Sequence, residues 1–168
     1  MMIMVIIAQL LIPPYVRSQY GGWVDADHDC HDTRAEVLLH ESVGPVTMDG
    51  CRVVAGTWID PYTGETITQA RLIDIDHTIP LREAHVSGGW QWDRREKRAF
   101  ANDLHDVDHL VATHRTQNRR KGARDPAEWM PPTNQCWYAL TWISIKARWR
   151  LTFDAAEVAA LVDTLKEC

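Results

Sequence analysis

Between Leu72 and Ile79 the chain alternates apolar and polar residues, Leu-Ile-Asp-Ile-Asp-His-Thr-Ile, and then meets Pro80. Period-two alternation predicts a strand with one buried face, and a proline ends it because it brings no amide to the ladder. Arg52 to Ile59 is rich in strand-forming residues, and Pro61-Tyr62-Thr63-Gly64 supplies a turn after which Glu65 to Thr68 returns as a second strand. Leu110 to Thr113 is a further short strand. Arg115 to Arg120 is a short helix that Gly122 would end, because glycine readily takes the left-handed conformation of a helix stop. Thr33-Arg34-Ala35-Glu36 reads as a capping box, which predicts a helix to about His40. Residues 82–104 are helical in pattern, with a break near Gly88-Gly89.

Near the C-terminus, Tyr138, Trp142, Ile145 and Trp149 recur at helical spacing and predict a helix with an aromatic core stripe. A last helix starts at Asp154, with Val158, Leu161, Val162 and Leu165 as its buried stripe. This succession predicts an α+β domain over residues 20–168, with an N-terminal β-hairpin and C-terminal helices. Met1 to Ile12 is the longest apolar run, and it stops at Pro13-Pro14. It falls short of the roughly 20 residues that span a bilayer, so no membrane partner is expected. It has no opening basic residue and no clear cleavage site. Residues 1–19 therefore stand equally as an atypical secretion signal and as a buried first element.

Charged residues at 24% and hydrophobic ones at 45% of 168 positions exclude a disordered chain and leave room for one real core. The net charge of -5 hides a segregation that matters more. Residues 1–76 hold 11 acids and 4 bases, whereas residues 77–152 hold 8 acids and 13 bases. A basic middle in an acidic protein fits a local anionic ligand. Cys30, Cys51, Cys136 and Cys168 form no C-x-x-C pair. Their even number suits two disulfides and an oxidising, extracellular compartment, with Cys30–Cys51 and Cys136–Cys168 the simplest pairing and four free thiols the alternative.

The candidate chemistry lies in Asp74-Ile75-Asp76-His77-Thr78-Ile79-Pro80-Leu81, in His109-Leu110-Val111-Ala112, and in Gln117-Asn118-Arg119-Arg120-Lys121-Gly122. Asp76 is a hard oxygen ligand suited to Mg²⁺ or Mn²⁺. An imidazole such as His77, with an ordinary pKa of about 6.5, can take a proton from water at neutral pH. Neighbours on a regular strand point oppositely, but a strand end running into Pro80 is where that alternation is expected to relax. Asn118 offers a neutral amide oxygen to a metal, and Arg115, Arg119, Arg120 and Lys121 bring cations for phosphate.

Strand-Asp-His-x-x-Pro-Leu, a second strand beginning His-Leu-Val, and a helix with Asn-x-x-Lys-Gly together resemble the ββα-metal (His-Me finger) fold of HNH endonucleases. The likeness is closest to the small, often secreted actinobacterial HNH proteins related to the C-terminal domain of the GmrSD modification-dependent restriction enzymes. It runs from Gly21-Gly22-Trp23 to Cys136 and includes Cys30-His31-Asp32-Thr33-Arg34, Trp58-Ile59-Asp60-Pro61-Tyr62 and Asp125-Pro126-Ala127-Glu128-Trp129. The resemblance implies a ββα-metal core at about residues 72–123. It implies His77 as general base, Asp76 and Asn118 as metal ligands, and His109 in the place of the family's usual loop-positioning asparagine. It further implies a metal-dependent endonuclease of weak sequence preference, acting as a monomer on DNA or RNA, with DNA the first expectation. Mg²⁺ is the expected cofactor, with Mn²⁺ or Zn²⁺ as alternatives. Arg115, Arg119, Arg120 and Lys121 would hold flanking phosphates.

Two other function classes compete. Asp25, Asp27 and Asp29, with Glu36 at position twelve, fit the ligand spacing of an EF-hand loop. Against a Ca²⁺-binding module, Cys30 replaces the glycine of the sharp turn and Asp32 sits at position eight. A nuclease fold kept only to bind nucleic acid is the other alternative. His105 and His114 read as surface residues, His85, Trp90 and Trp92 as packing, and Arg34 as either a phosphate contact or an ion-pair partner.

Overall fold

The computed structural model describes residues 12–168, so the reading of Met1 to Leu11 as signal or first element lies outside the described residues. Residues 12–19 pack onto the body. Tyr15 lies half-buried on the core, and the Pro13 carbonyl accepts a hydrogen bond from His85 Nε2 at 2.8 Å. A 3-10 turn at Arg17–Tyr20 brings in Tyr20, which is fully buried.

Helix α1 covers Thr33–Glu41, with Asp32 rather than Thr33 as its N-cap: the Asp32 carboxylate accepts from the Ala35 amide at 3.0 Å. Thr33 is free for another task, and its buried hydroxyl joins Val24 O to Asn102 Oδ1. Strands β1 (Thr47–Asp49), β2 (Arg52–Ile59) and β3 (Thr66–Gln69) form an antiparallel sheet in that order. The expected hairpin is thus a three-stranded sheet. β1 is three residues long, too short for periodicity to register.

Strands β4 (Ile73–His77) and β5 (Leu110–His114) pair antiparallel, with Asp76 opposite Val111 and His77 opposite Leu110. Between them come α2 (Leu81–Val86) and α3 (Arg94–Ala101), and β5 runs directly into α4 (Arg115–Lys121). Gly122, at φ +58°, ends α4 as expected. A two-stranded sheet exposes outer backbone groups, and charged side chains satisfy several of them here. Glu41 accepts from Ala112 N at 2.9 Å and Asp60 from His114 N at 3.0 Å. Arg34 donates to Ile73 O at 2.9 Å and Lys121 to His77 O at 2.6 Å. Arg34 is thus a backbone clamp, bonded through one guanidinium nitrogen to Ala70 O and Ile73 O, with no carboxylate oxygen within 4.0 Å among the described residues.

The β4–β5 pair lies between two apolar clusters. One gathers Leu38, Trp58, Ile73, Ile75 and Leu110; the other gathers Tyr62, Ile79, Phe100, Val111, Tyr138 and Trp142. Helices α5 (Gln135–Arg148) and α6 (Ala155–Lys166) close the second cluster, and Asp154 with Glu157 forms the capping box of α6. Of the stripe expected on α6, Leu161 is buried, but Val158 and Val162 are 44% and 46% exposed. The helix lies on α5 along a narrower seam than its apolar residues span. Both disulfides form between sequence neighbours, Cys30–Cys51 and Cys136–Cys168. No helix among the described residues is long and apolar enough to cross a membrane.

Candidate active site

The end of β4 carries two adjacent polar side chains with separate surroundings, as regular strand alternation demands. The expected relaxation of alternation before Pro80 does not occur. On one side, Asp76 is buried: its Oδ2 accepts from Tyr62 Oη and from Lys121 Nζ, each at 2.6 Å. Burial raises the Asp76 carboxyl above its ordinary range and lowers the Lys121 ammonium, while their ion pair opposes both shifts. Asp76 Oδ1 has no hydrogen-bond partner among the described residues. Asp74, two residues back and on the same face, accepts from Asn118 Nδ2 at 3.1 Å. That contact uses the amide nitrogen and leaves the carbonyl Oδ1 of Asn118 free.

On the other side, His77 is 8% exposed. Its Nε2 lies 3.0 Å from Ala101 O. A carbonyl only accepts, so Nε2 carries the proton and Nδ1 keeps its lone pair. Trp23 stacks on the ring, with centroids 5.5 Å apart. Burial, with smaller contributions from His109 and Arg17, pushes the His77 pKa down to about 3, so the ring is neutral at physiological pH.

His109 is fully buried and repeats the arrangement one residue earlier, donating Nε2–H to Phe100 O at 2.8 Å. Both imidazoles thus satisfy carbonyls that the last turn of α3 leaves without helical partners. The backbone of His109 also accepts from Thr78 N at 3.0 Å, and Thr78 Oγ1 donates to Asp108 O at 2.6 Å. His109 therefore anchors the turn after His77 through its main chain while its ring fixes α3.

The structure brings Asp76, His77, His109 and Asn118 into one unit of strand, strand and helix. Arg119 and Arg120 are exposed on α4, and Arg115 is partly so. Lys121 departs from the expected phosphate contact. It is 0% exposed, and both of its hydrogen bonds are to Asp76 and the His77 carbonyl. A cation one helical turn past Asn118 points inward because that face of α4 lies on the sheet. Tyr62, Asp60, Asp74 and Trp23 also serve the site and were not singled out from sequence. Asp60, fully buried, accepts from Tyr62 N, Thr113 Oγ1 and His114 N, so it ties the Tyr62 turn to β5. For Asp74 a signal existed, since residues two apart on a strand share a face; for Tyr62 and Trp23 there was none.

The acidic loop lies apart from this unit. Donor atoms of Asp25, Asp27 and Asp29, and separately of Asp29, His31 and Glu36, lie within 4.8 Å of one another. Cys30 takes the left-handed φ of +77° that a glycine was thought necessary to provide. His105 is exposed, and His114 is the N-cap of α4, accepting from Thr116 N at 3.2 Å.

No family model and no solved structure matches the chain. A protein of Arthroderma benhamiae described as an uncharacterized secreted protein is 36% identical to it over 157 residues. The match covers 92% of this chain and 76% of the relative. With that relative and two disulfides, the protein is extracellular.

Proposed function

This chain belongs to the same family as the Arthroderma benhamiae secreted protein, and for it we propose the activity of a metal-dependent endonuclease with a ββα-metal core, hydrolysing phosphodiester bonds of DNA. One observation carries the reading. A neutral imidazole, its Nε2–H held by the Ala101 carbonyl, follows a buried carboxylate by one residue on a strand that packs on a helix bearing a free amide oxygen. In this reading His77 Nδ1 takes a proton from water as the oxygen attacks phosphorus. The Ala101 carbonyl keeps the ring in the tautomer that does so, and the charge on the imidazolium is stabilised by that same carbonyl.

The donors fit a hard divalent cation. Among the described residues Asp76 Oδ1 and Asn118 Oδ1 have no protein partners, one anionic and one neutral oxygen, hard donors of the kind that Mg²⁺ takes beside waters and phosphate. When bound, the cation supplies Lewis-acid stabilisation of charge developing on the phosphate and the leaving oxygen. Lys121 and Tyr62 fix Asp76 through its other oxygen, so that the carboxylate is oriented before any ligand arrives. Arg119 and Arg120 would meet flanking phosphates, which carry no sequence information and so give weak sequence preference.

Plasmid nicking tests the reading. Purified protein is expected to nick plasmid with Mg²⁺ or Mn²⁺, to stop in EDTA, and to lose activity in His77→Ala. Cutting that survives in the variant would remove His77 as base. A folded protein that fails to cut with any metal would leave the inactive binder or the Ca²⁺ module in its place.

The donor cluster of the Asp25–Glu36 loop favours a second, accessory reading, a Ca²⁺ site. Calorimetric titration with Ca²⁺ is expected to show binding that Asp27→Ala abolishes, and equal behaviour of the two proteins would end the idea.

A further inference from the structure

The nuclease reading leaves one strongly charged surface unused. Helix α3 exposes Arg94, Arg95 and Arg98, while its fourth cation, Lys97, is buried and donates to Gln19 Oε1 at 2.8 Å. The three arginines line a groove of about 810 Å³ beside the N-terminal 3-10 turn. Arg17 belongs to the same surface. Its Nη1 donates to Gly21 O at 2.7 Å, and a Cβ placed on Gly21 would lie 3.8 Å from Arg98 Cγ, so the Arg17 head and the Arg98 stem both border that glycine.

These cations are unneutralised. Among the described residues no carboxylate oxygen lies within 4.0 Å of the guanidinium nitrogens of Arg17, Arg94, Arg95 or Arg98, although Arg148 pairs with both Asp103 and Asp106. Residues 1–11 contain no acid to supply one. Asp27 and Glu36 line the same groove, so the arginines are its cationic part and these two acids its anionic part. Guanidinium forks match phosphate oxygens in pairs, and Arg94 and Arg98 stand one helical turn apart on a common face. The surface adjoins the end of α3, whose Ala101 carbonyl holds His77.

We propose that Arg17, Arg94, Arg95 and Arg98 form a second phosphate-binding tract for a nucleic-acid strand, on the surface of the helix whose last carbonyl holds His77. The inference rests on the nuclease reading and extends it: the strand is gripped by a second set of cations on another helix, so the enzyme prefers polymers to short fragments.

Fluorescence anisotropy of a labelled DNA oligonucleotide in EDTA, over a series of salt concentrations, tests it without cleavage. The combined variant Arg94→Gln/Arg95→Gln/Arg98→Gln is expected to bind on the order of 10- to 100-fold more weakly, with a salt slope shallower by about 2. The matching lysine variant should retain the slope. Arg71→Gln, an exposed arginine hydrogen-bonded to Gln69 instead, should change neither. Unchanged affinity and slope in the glutamine variant, with wild-type circular dichroism and wild-type cleavage, would overturn the tract and leave the nuclease standing. A loss in Arg71→Gln equal to that of Arg98→Gln would reduce it to general charge. Wild-type protein that neither binds nor nicks DNA would overturn the nuclease reading and the tract together.

Discussion

Lys121 shows how one residue's meaning depends on where its side chain ends. In the run Asn118-Arg119-Arg120-Lys121 it is one of three cations, yet its ammonium is 0% exposed and bound to Asp76 Oδ2 and His77 O. It neutralises a buried carboxylate and pins the strand end. Removing one partner of a buried pair leaves the other charge uncompensated, which costs about 3–5 kcal/mol. Lys121→Met is therefore expected to lower unfolding free energy by that order in urea titration. A variant of unchanged stability and weakened DNA binding would return Lys121 to the phosphate contacts. Arg119→Gln, exposed on the same helix, should leave stability within about 0.5 kcal/mol of wild type.

At the scale of elements, caps and turns were legible because they are local. The Asp154–Glu157 capping box and the Gly122 stop lie where the letters place them. What a helix buries is not local. Val158, Leu161, Val162 and Leu165 share a face by periodicity, yet only Leu161 is fully enclosed, at 3% exposure. The seam between α5 and α6 is instead organised around Lys146, whose buried ammonium reaches Glu83 at 2.8 Å and Glu157 at 2.5 Å, with Trp142 Nε1 donating to the same glutamate. Leu161→Ala is expected to cost about 2–5 kcal/mol, as deletion of an enclosed leucine does. Val158→Ser and Val162→Ser should each stay near 0.5 kcal/mol. Thermal or urea denaturation separates the cases, and comparable losses at all three positions would show the stripe to be wholly buried.

At the scale of the whole molecule, Glu41 joins α1 to the strand pair that carries the site, accepting from Ala112 N. Burial, with a smaller push from Asp108, raises its pKa from 4.5 to about 7, against the opposing Ala112 hydrogen bond. The folded state thus holds this proton more tightly than the unfolded chain. Stability from this group is complete below about pH 4.5 and is lost as pH rises towards 7. Glu41→Gln, which keeps the acceptor and removes the charge, is expected to raise stability by about 1–3 kcal/mol above pH 7 and to change little near pH 4. Denaturation curves across that range check the sign, and a variant less stable at high pH would contradict it.

Sequence by itself determined strands β2 to β5, the Asp154 cap and the Gly122 stop, because each is marked by neighbours a few positions away. It singled out Asp76, His77, His109 and Asn118 as candidates and offered the observed disulfide pairing as the simplest one. The extracellular setting was legible too, from the cysteine count. Tertiary structure alone decided that Asp76 is held by Tyr62 and Lys121, that both histidines hang from the last carbonyls of α3, and that Asp74 orients Asn118. It also turned Lys121 inward and left Arg17, Arg94, Arg95 and Arg98 without carboxylate partners among the described residues. Those outcomes depend on which faces meet when α3, α4 and the Tyr62 turn close on one strand pair, and contacts between residues 9 to 45 positions apart leave no periodic trace in the chain.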